Sequence, residues 1–147
     1  MPKRKATAEW NGGLKDGQGS IRLGSGAFKG AYSFGSRFEA GDGTNPEELI
    51  GAAHAGCFSM ALAANLGEAG YSPQRISTVA EVSLVMQDGK PTIQTITLET
   101  EAEVPEIAEE AFREQAEKAK NGCPVSRALA GVKIELNARL SGVHSTG

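Results

Sequence analysis

Two cysteines stand in the 147-residue chain, Cys57 and Cys123, 66 positions apart. A cysteine attacks only as a thiolate, and a free thiol with a pKa near about 8.5 is mostly protonated at neutral pH. The spacing is not a C-x-x-C, and two thiols with two histidines, His54 and His144, make no zinc pattern. Cys123 in "NGCPVS" falls where a helix begins, with Pro124 behind it, and backbone N–H groups and the dipole at such a start favour a thiolate. Cys57 in "HAGCFSM" has the small residues Gly56 and Ser59 nearby, which leave room for a substrate or a second sulfur. The bland alternative is a pair of buried, inert thiols, since a free cysteine is often a small hydrophobe. His54 reads as a satisfied core or interface histidine and His144, in the tail, as incidental. The hydroxyls of Ser20, Ser59 and Ser126 lack a nucleophile-elbow context. The 19 glycines form no phosphate-binding loop.

Cys57 sits inside "TNPEELIGAAHAGCFSMALAANLGEAGYSP". Thr44 or Asn45 can cap a helix, Pro46 suits its first turn, Glu47 or Glu48 can close a capping box, and Gly70 and Pro73 end it. Residues 46 to 69 would span about 36 Å. Apolar residues on all sides of the middle predict a central helix, covered by other elements or by a partner chain. Upstream, Lys5–Gly13 and Gly17–Gly26 read as a hairpin. "AFKGAYSFGS" reads as a mobile or bulged connection, and "RFEAGDGTN" as a short strand and a glycine turn.

Downstream, residues 75–104 form a long hairpin around "DGKP". Ile76, Thr78, Ala80, Val82, Leu84 and Met86 share one face of its first strand, and Ile96, Leu98, Thr100, Ala102 and Val104 one face of the second. "PEIAEEAFREQAEKAKNG" is an amphipathic helix with Ile107, Ala108, Ala111, Phe112 and Ala119 inward. "CPVSRALAG" adds one or two helical turns, with Cys123 as N-cap. "VKIELNARL" alternates as a final strand, and the tail "SGVHSTG" is expected to fray. Trp10 and Phe112 are read as core residues. The expected class is α+β, a single domain over residues 1–147 with antiparallel sheets wrapped around one long central helix.

Composition is that of a globular protein, 39% hydrophobic and 22% charged. A net charge of −3 argues against non-specific nucleic-acid binding. "MPKRKATAEW" is basic but no apolar stretch follows, so no secretory signal is expected. The longest nearly apolar run, Leu49 to Ala64, contains His54 and is shorter than the roughly 20 residues of a bilayer span. These features lead to the expectation of a soluble, cytoplasmic protein with thiols reduced at rest.

"GTNPEELIGAAHAGCFSMAL" together with "KAKNGCPVSRAL" closely resembles the osmotically inducible protein C (OsmC) family, sister to the organic hydroperoxide resistance (Ohr) proteins. The resemblance runs from "AEWNG" to the last strand. It implies a thiol-dependent peroxidase acting on organic hydroperoxides, in an intertwined homodimer with two active sites at the subunit interface. On matching positions, Cys57 would be the peroxidatic cysteine, Cys123 the resolving one, Arg37 the arginine of the "RF" motif and Glu47 the glutamate of "NPE". The resemblance implies no metal, haem or flavin, and a dithiol reductant such as dihydrolipoyl groups on proteins.

Chemistry gives each role a reason. Cys57 lies about 16 Å into its helix, and the macrodipole fades within the first turn, so a nearby cation must hold its thiolate. Arg37 can bind thiolate and peroxide oxygen together, and Glu47 can fix the guanidinium with a two-pronged hydrogen bond. Glu48 is the plainer cap. Phe58, Met60 and Phe38, with Phe28, Tyr32 and Phe34, would favour alkyl or aromatic hydroperoxides. Glu47 and Cys57 stand about 15 Å apart along one helix, so the expectation is an obligate homodimer in which the partner subunit supplies Glu47 to Arg37. Two other readings use the same residues: a non-catalytic binder of small hydrophobic ligands with Cys57 in its wall, and a redox sensor that passes its disulfide state to a partner.

Overall fold

The computed structural model describes residues 2–141, and His144 with the rest of the tail after Ser141 lies outside them. The elements are β1 (Ala6–Asn11), β2 (Gln18–Leu23), β3 (Lys29–Tyr32), α1 (Phe34–Phe38), α2 (Pro46–Glu68), β4 (Arg75–Gln87), β5 (Lys90–Glu103), α3 (Glu109–Gly122), α4 (Pro124–Ala128) and β6 (Lys133–Leu140). They make two three-stranded sheets, β1-β2-β3 and β4-β5-β6, and one long helix. The α+β class is as expected. The chain divides into two compact units, residues 1–49 and 50–147.

In the first unit β1 and β2 form the expected hairpin. The connection after it is more ordered than its glycines suggest. Lys29–Tyr32 adds a third antiparallel strand, closing the Gly19↔Tyr32 and Arg22↔Lys29 pairings. Phe34–Phe38 is a helix where a short strand was expected through Arg37 and Phe38. Ser33 and Ser36 explain it: each side chain accepts from the other's backbone N–H, a reciprocal cap that starts a helix from a serine pair. Gly43 then turns with φ +118, and its N–H neighbour Thr44 donates to the Ala31 carbonyl at 2.9 Å. A side chain at residue 43 would meet that carbonyl at 2.7 Å, so glycine is required on both counts.

The start of α2 follows the sequence closely. The Glu48 N–H donates to Asn45 Oδ1 at 2.7 Å, making Asn45 the N-cap, while Thr44 Oγ1 donates to the Glu48 carboxylate at 2.9 Å. At the other end Tyr71 N–H reaches back to the Leu66 carbonyl at 2.9 Å past Gly70 at φ +97, a left-handed helix stop.

In the second unit β4 and β5 form the long hairpin, and β6 returns parallel to β5, so this sheet is mixed rather than antiparallel. Ile96, Leu98, Thr100, Ala102 and Val104 are buried as the alternation predicts. On β4 the alternation fails beyond Val82. A bulge between Ser83 and Leu84 shifts the register, and Met86 ends 68% exposed instead of inward. In α3, Phe112, Ala116 and Ala119 face the core, while Ala108 is its exposed N-cap and Ile107 is buried just ahead of it. Trp10 is only half-buried, its indole N–H donating to the Gly13 carbonyl and its ring 5.3 Å from that of Tyr32.

The helix α2 buries one stripe. His54, Phe58, Leu62 and Leu66, four apart, are each 0% exposed, and the last three join the core of β5 and α3. Ala52, Ala53, Gly56, Met60 and Ala64 on the other side are exposed in the single chain. The helix is thus apolar all round, as expected, but its own chain covers only part of it. Its 23 residues and mean hydropathy of 1.4 meet the length and composition of a membrane span as well, a test that core helices also pass.

Candidate active site

The four residues given a catalytic role by the resemblance, Arg37, Glu47, Cys57 and Cys123, meet in two pairs. The first pair lies in the unit of residues 1–49. Arg37 ends α1, and Glu47 opens α2. Their approach is set by hydrogen bonds of the neighbouring residues: Ser36 Oγ donates to the Thr44 carbonyl at 2.7 Å, and Asn45 Nδ2 donates to the Ser36 carbonyl at 3.0 Å. Arg37 Nε and Nη2 then donate to the two Glu47 oxygens at 3.1 and 2.8 Å, a bidentate fork. The Glu47 bond raises the guanidinium pKa further, against burial that lowers it. Arg37 Cζ also lies 5.2 Å from the centre of the Phe38 ring, which in turn is 4.9 Å from that of Phe34. The charge therefore sits beside an aromatic surface. This pairing overturns the expectation that a partner subunit supplies Glu47 to Arg37: one chain holds both.

The second pair lies in the unit of residues 50–147. Cys57 projects from α2, next to Phe58 of the buried stripe, and is partly exposed. Cys123 caps α4 and is fully buried. The two sulfurs are 3.0 Å apart and share a hydrogen bond, with both cysteines free. Burial pushes the Cys57 thiol up, and sharing its proton with Cys123 adds to this. Burial also pushes Cys123 up, but the Cys57 sulfur and the polar groups of the first turn of α4 outweigh it and hold this thiol below its ordinary value.

One expectation about the surroundings changes. Phe58 is 0% exposed and committed to the core, so it cannot line a substrate site, whereas Met60 is 76% exposed. Gly56 has open space where a side chain would stand, and the Ser59 hydroxyl is tied to Thr78 Oγ1 at 2.7 Å, which continues to Thr100 Oγ1 at 3.0 Å. Among the described residues no group of three or more His, Cys, Asp and Glu is placed to hold a metal ion.

With this geometry in place, comparison with known proteins is informative. The family model described as OsmC-like protein matches residues 39–137. The chain belongs to the OsmC family. It is 50% identical to Peroxiredoxin OsmC of Escherichia coli (strain K12) over 127 residues, 86% of this chain and 89% of that relative. The protein of the same name in Shigella flexneri matches equally well. Among solved structures, the organic hydroperoxide resistance protein OhrB of Bacillus subtilis superimposes with a TM-score of 0.70 at 25% identity, over 93% of this chain and 98% of that one. An OsmC-like protein of Mycoplasma pneumoniae, at 19% identity, shares the fold with a TM-score of 0.74 over 95% of this chain and 97% of that one. The span matched by the OsmC family model takes in Glu47, Cys57 and Cys123 and begins just after Arg37.

Sequence reasoning missed one feature of this OsmC site. His54 Nε2 lies 2.7 Å from Ser126 Oγ, and both residues are buried. His54 is buried as expected of a core or interface histidine, but only half satisfied: among the described residues its Nδ1 has no partner. Burial lowers its pKa and keeps the ring neutral. A signal was present: His54 precedes Cys57 by three positions and Ser126 follows Cys123 by three, spacings that put each on its cysteine's side of a helix.

Proposed function

We propose that the chain is a cysteine peroxidase that reduces organic hydroperoxides to alcohols, with Cys57 as the attacking sulfur and Cys123 as the resolving one. The observation that carries this reading is the 3.0 Å separation of two sulfurs 66 positions apart in a reduced protein. A disulfide needs about 2.05 Å, so a small adjustment suffices to form one. The names of the relatives, a peroxiredoxin and an organic hydroperoxide resistance protein, support the substrate class.

Cys57 is the sulfur a peroxide can reach, since Cys123 is fully buried. Its thiolate attacks the outer peroxide oxygen. The O–O bond breaks, the alkoxide takes a proton and leaves as alcohol, and Cys57 is left as a sulfenic acid. Cys123 attacks that sulfur, the S–S bond forms and hydroxide leaves as water. An external dithiol, such as a protein-bound dihydrolipoyl group, then reduces the disulfide. No cofactor enters this scheme.

Because burial disfavours the Cys57 thiolate, a cation must stabilise it, and the Arg37–Glu47 fork is the group suited to that task. Helix rise separates Glu47 from Cys57 by about 15 Å along α2, and Arg37 is committed to Glu47. The fork of a second copy is therefore the one assigned to each thiol pair, in a homodimer. The exposed small-residue side of α2, from Ala52 to Ala64, supports a contact between copies. The aromatic surface of Phe34 and Phe38 beside the guanidinium supports a preference for alkyl or aryl peroxides over hydrogen peroxide.

One experiment tests the chemistry. Purified protein with dithiothreitol should consume cumene hydroperoxide catalytically, and one equivalent of peroxide should give a Cys57–Cys123 linked peptide by mass spectrometry. A single stoichiometric reaction, or sulfinic acid at Cys57 as the main product, rules the cycle out. Refolding a mixture of inactive Cys57→Ser and Glu47→Ala chains tests the sharing of forks: activity returns only if one copy's fork serves the other copy's thiol.

A further inference from the structure

We propose that the His54–Ser126 hydrogen bond is a positioning clasp: it ties α4 to α2 three residues from each sulfur, so that Cys123 stays aimed at Cys57 while the disulfide forms. The inference rests on the peroxidase reading and deepens it, by naming the residues that set how fast the oxidised Cys57 is resolved.

Cys123 stands on weak local support. The helix α4 is five residues long, and Cys123 at its head makes no side-chain capping bond. So short a helix is not stable by itself, and its position depends on what it is tied to. The Cys123 N–H donates to the Ala119 carbonyl of α3 at 3.0 Å, and Leu129 packs on the core. Towards α2, the side-chain hydrogen bonds among the described residues are two: Cys123 Sγ to Cys57 Sγ at 3.0 Å, and His54 Nε2 with Ser126 Oγ at 2.7 Å. His54 precedes Cys57 by three positions and Ser126 follows Cys123 by three. Three positions bring side chains to the same side of a helix, so both bonds link the same two elements side by side. His54 is 0% exposed and Ser126 only 6%. In such a place water does not replace a lost partner, and the bond is stronger than it would be at the surface.

The chemistry dissolves the first of these links when it is most needed. Cys57 takes one oxygen from the peroxide and becomes a sulfenic acid. Cys123 must lose its proton to attack, so the S–H bridge of the reduced pair is gone. The S–S bond then forms as the S–O bond breaks, and hydroxide leaves and takes up a proton as water. For this the sulfurs close from 3.0 Å to about 2.05 Å. A misplacement of about 1 Å can cost a reacting pair as much as a hundredfold in rate. His54 and Ser126 are chemically unchanged through the step, so their bond persists as the link between α2 and α4. Slow resolution has a definite consequence. A second peroxide oxidises the waiting sulfenic acid to a sulfinic acid, releases a second alcohol, and leaves a product that a dithiol does not reduce.

The first test needs no peroxide. Reduced protein is equilibrated with mixtures of oxidised and reduced dithiothreitol, so that two electrons and two protons pass from Cys57 and Cys123 to the oxidised reagent as the protein disulfide forms. His54→Phe and Ser126→Ala should each lower the equilibrium constant for the disulfide about tenfold, a rise of about 30 mV in potential. His54→Gln, whose amide can donate or accept near the place of Nε2, and Ser126→Thr, which keeps the hydroxyl, should recover most of the loss. The second test uses cumene hydroperoxide. In Ser126→Ala the sulfenic acid trapped by dimedone should persist about tenfold longer, and the sulfinic fraction at Cys57 should rise with it. Unchanged constants in folded variants overturn the clasp. A fall that His54→Gln and Ser126→Thr leave unrepaired marks a packing effect and overturns it too, as does an unchanged sulfenic lifetime in a protein that turns over peroxide. If His54→Phe does not fold, Ser126→Ala, which removes one atom, decides together with Ser126→Thr. Lowered and repaired constants in a protein that never consumes peroxide would keep the clasp and sink the peroxidase reading, so the two failures are separable.

Discussion

Arg37 and Glu47 meet across ten positions of chain, Cys57 and Cys123 across 66. The ion pair is assembled by local means: a serine cap on α1, an asparagine cap on α2 and two hydrogen bonds between their ends. Its guanidinium stays about a third exposed. The thiol pair is assembled by the core, because α2 lies against β5 and α3 through Phe58, Leu62 and Leu66. Exposure and salt weaken the first pair, whereas burial strengthens every hydrogen bond in the second and makes an unpaired group there costly. In the proposed cycle, a charge that meets substrate belongs on the first kind of support. Two sulfurs that must come within bonding distance belong on the second.

The comparison can be broken by mutation, and the largest effect is expected at the thiols. Cys57→Ser should abolish even a single turnover of cumene hydroperoxide. Cys123→Ser should keep one turnover and leave a sulfenic acid that dimedone traps by mass. The reverse pattern would show that the buried, thiolate-favoured Cys123 is the attacking sulfur. Next comes the support of the thiol pair: Phe58→Ala, 0% exposed in the native chain, should cost about 3–5 kcal/mol in urea unfolding and slow disulfide formation with it.

On the other pair, Arg37→Met should lower kcat/KM for organic peroxide by about 10²-fold, the scale of one preorganised charge donor. Glu47→Gln, which keeps the shape but loses a charge-assisted bond, should lower it by about tenfold. Equal stability of both variants to wild type within about 1 kcal/mol would sharpen the contrast with Phe58→Ala. Asn45→Ala removes the α2 cap and should cost about 1 kcal/mol. Because Asn45 also donates to Ser36, it should weaken the fork more than the thiol pair.

The smallest effect is a pH dependence. Burial depresses the His54 pKa below its ordinary 6.5, so the unfolded chain binds the proton more readily. This contribution to stability is complete above pH 6.5 and is lost as pH falls from there through the folded-state value, by at most about 1.4 kcal/mol per pH unit. Urea midpoints between pH 7.5 and 5.5 should fall in the wild type and fall less in His54→Gln. Identical slopes would place His54 in contact with water.

The sequence alone determined the two hairpins, the caps and stop of α2, the amphipathic α3, and Cys123 at the head of α4. Each rests on local chemistry, on a period of two or near four, or on a capping residue within four positions. It also singled out Cys57, Cys123, Arg37 and Glu47, through motifs that resemble one family. What it left to the tertiary structure are contacts between residues far apart or effects of one added residue. The pairing shifts beside Ser83 and Met86 beyond it is exposed, and nothing in the alternation announces an extra residue on the facing strand. The direction of β6 was set by its pairing with β5, which the pattern of one strand does not encode. The Ser33–Ser36 cap made a helix of a stretch whose glycines and aromatics read as connection. Only the packing of α2 against the second sheet and α3 brought Cys57 to Cys123 and His54 to Ser126. Those distances arise from burying Phe58, Leu62 and Leu66, and burial has no direction along the chain.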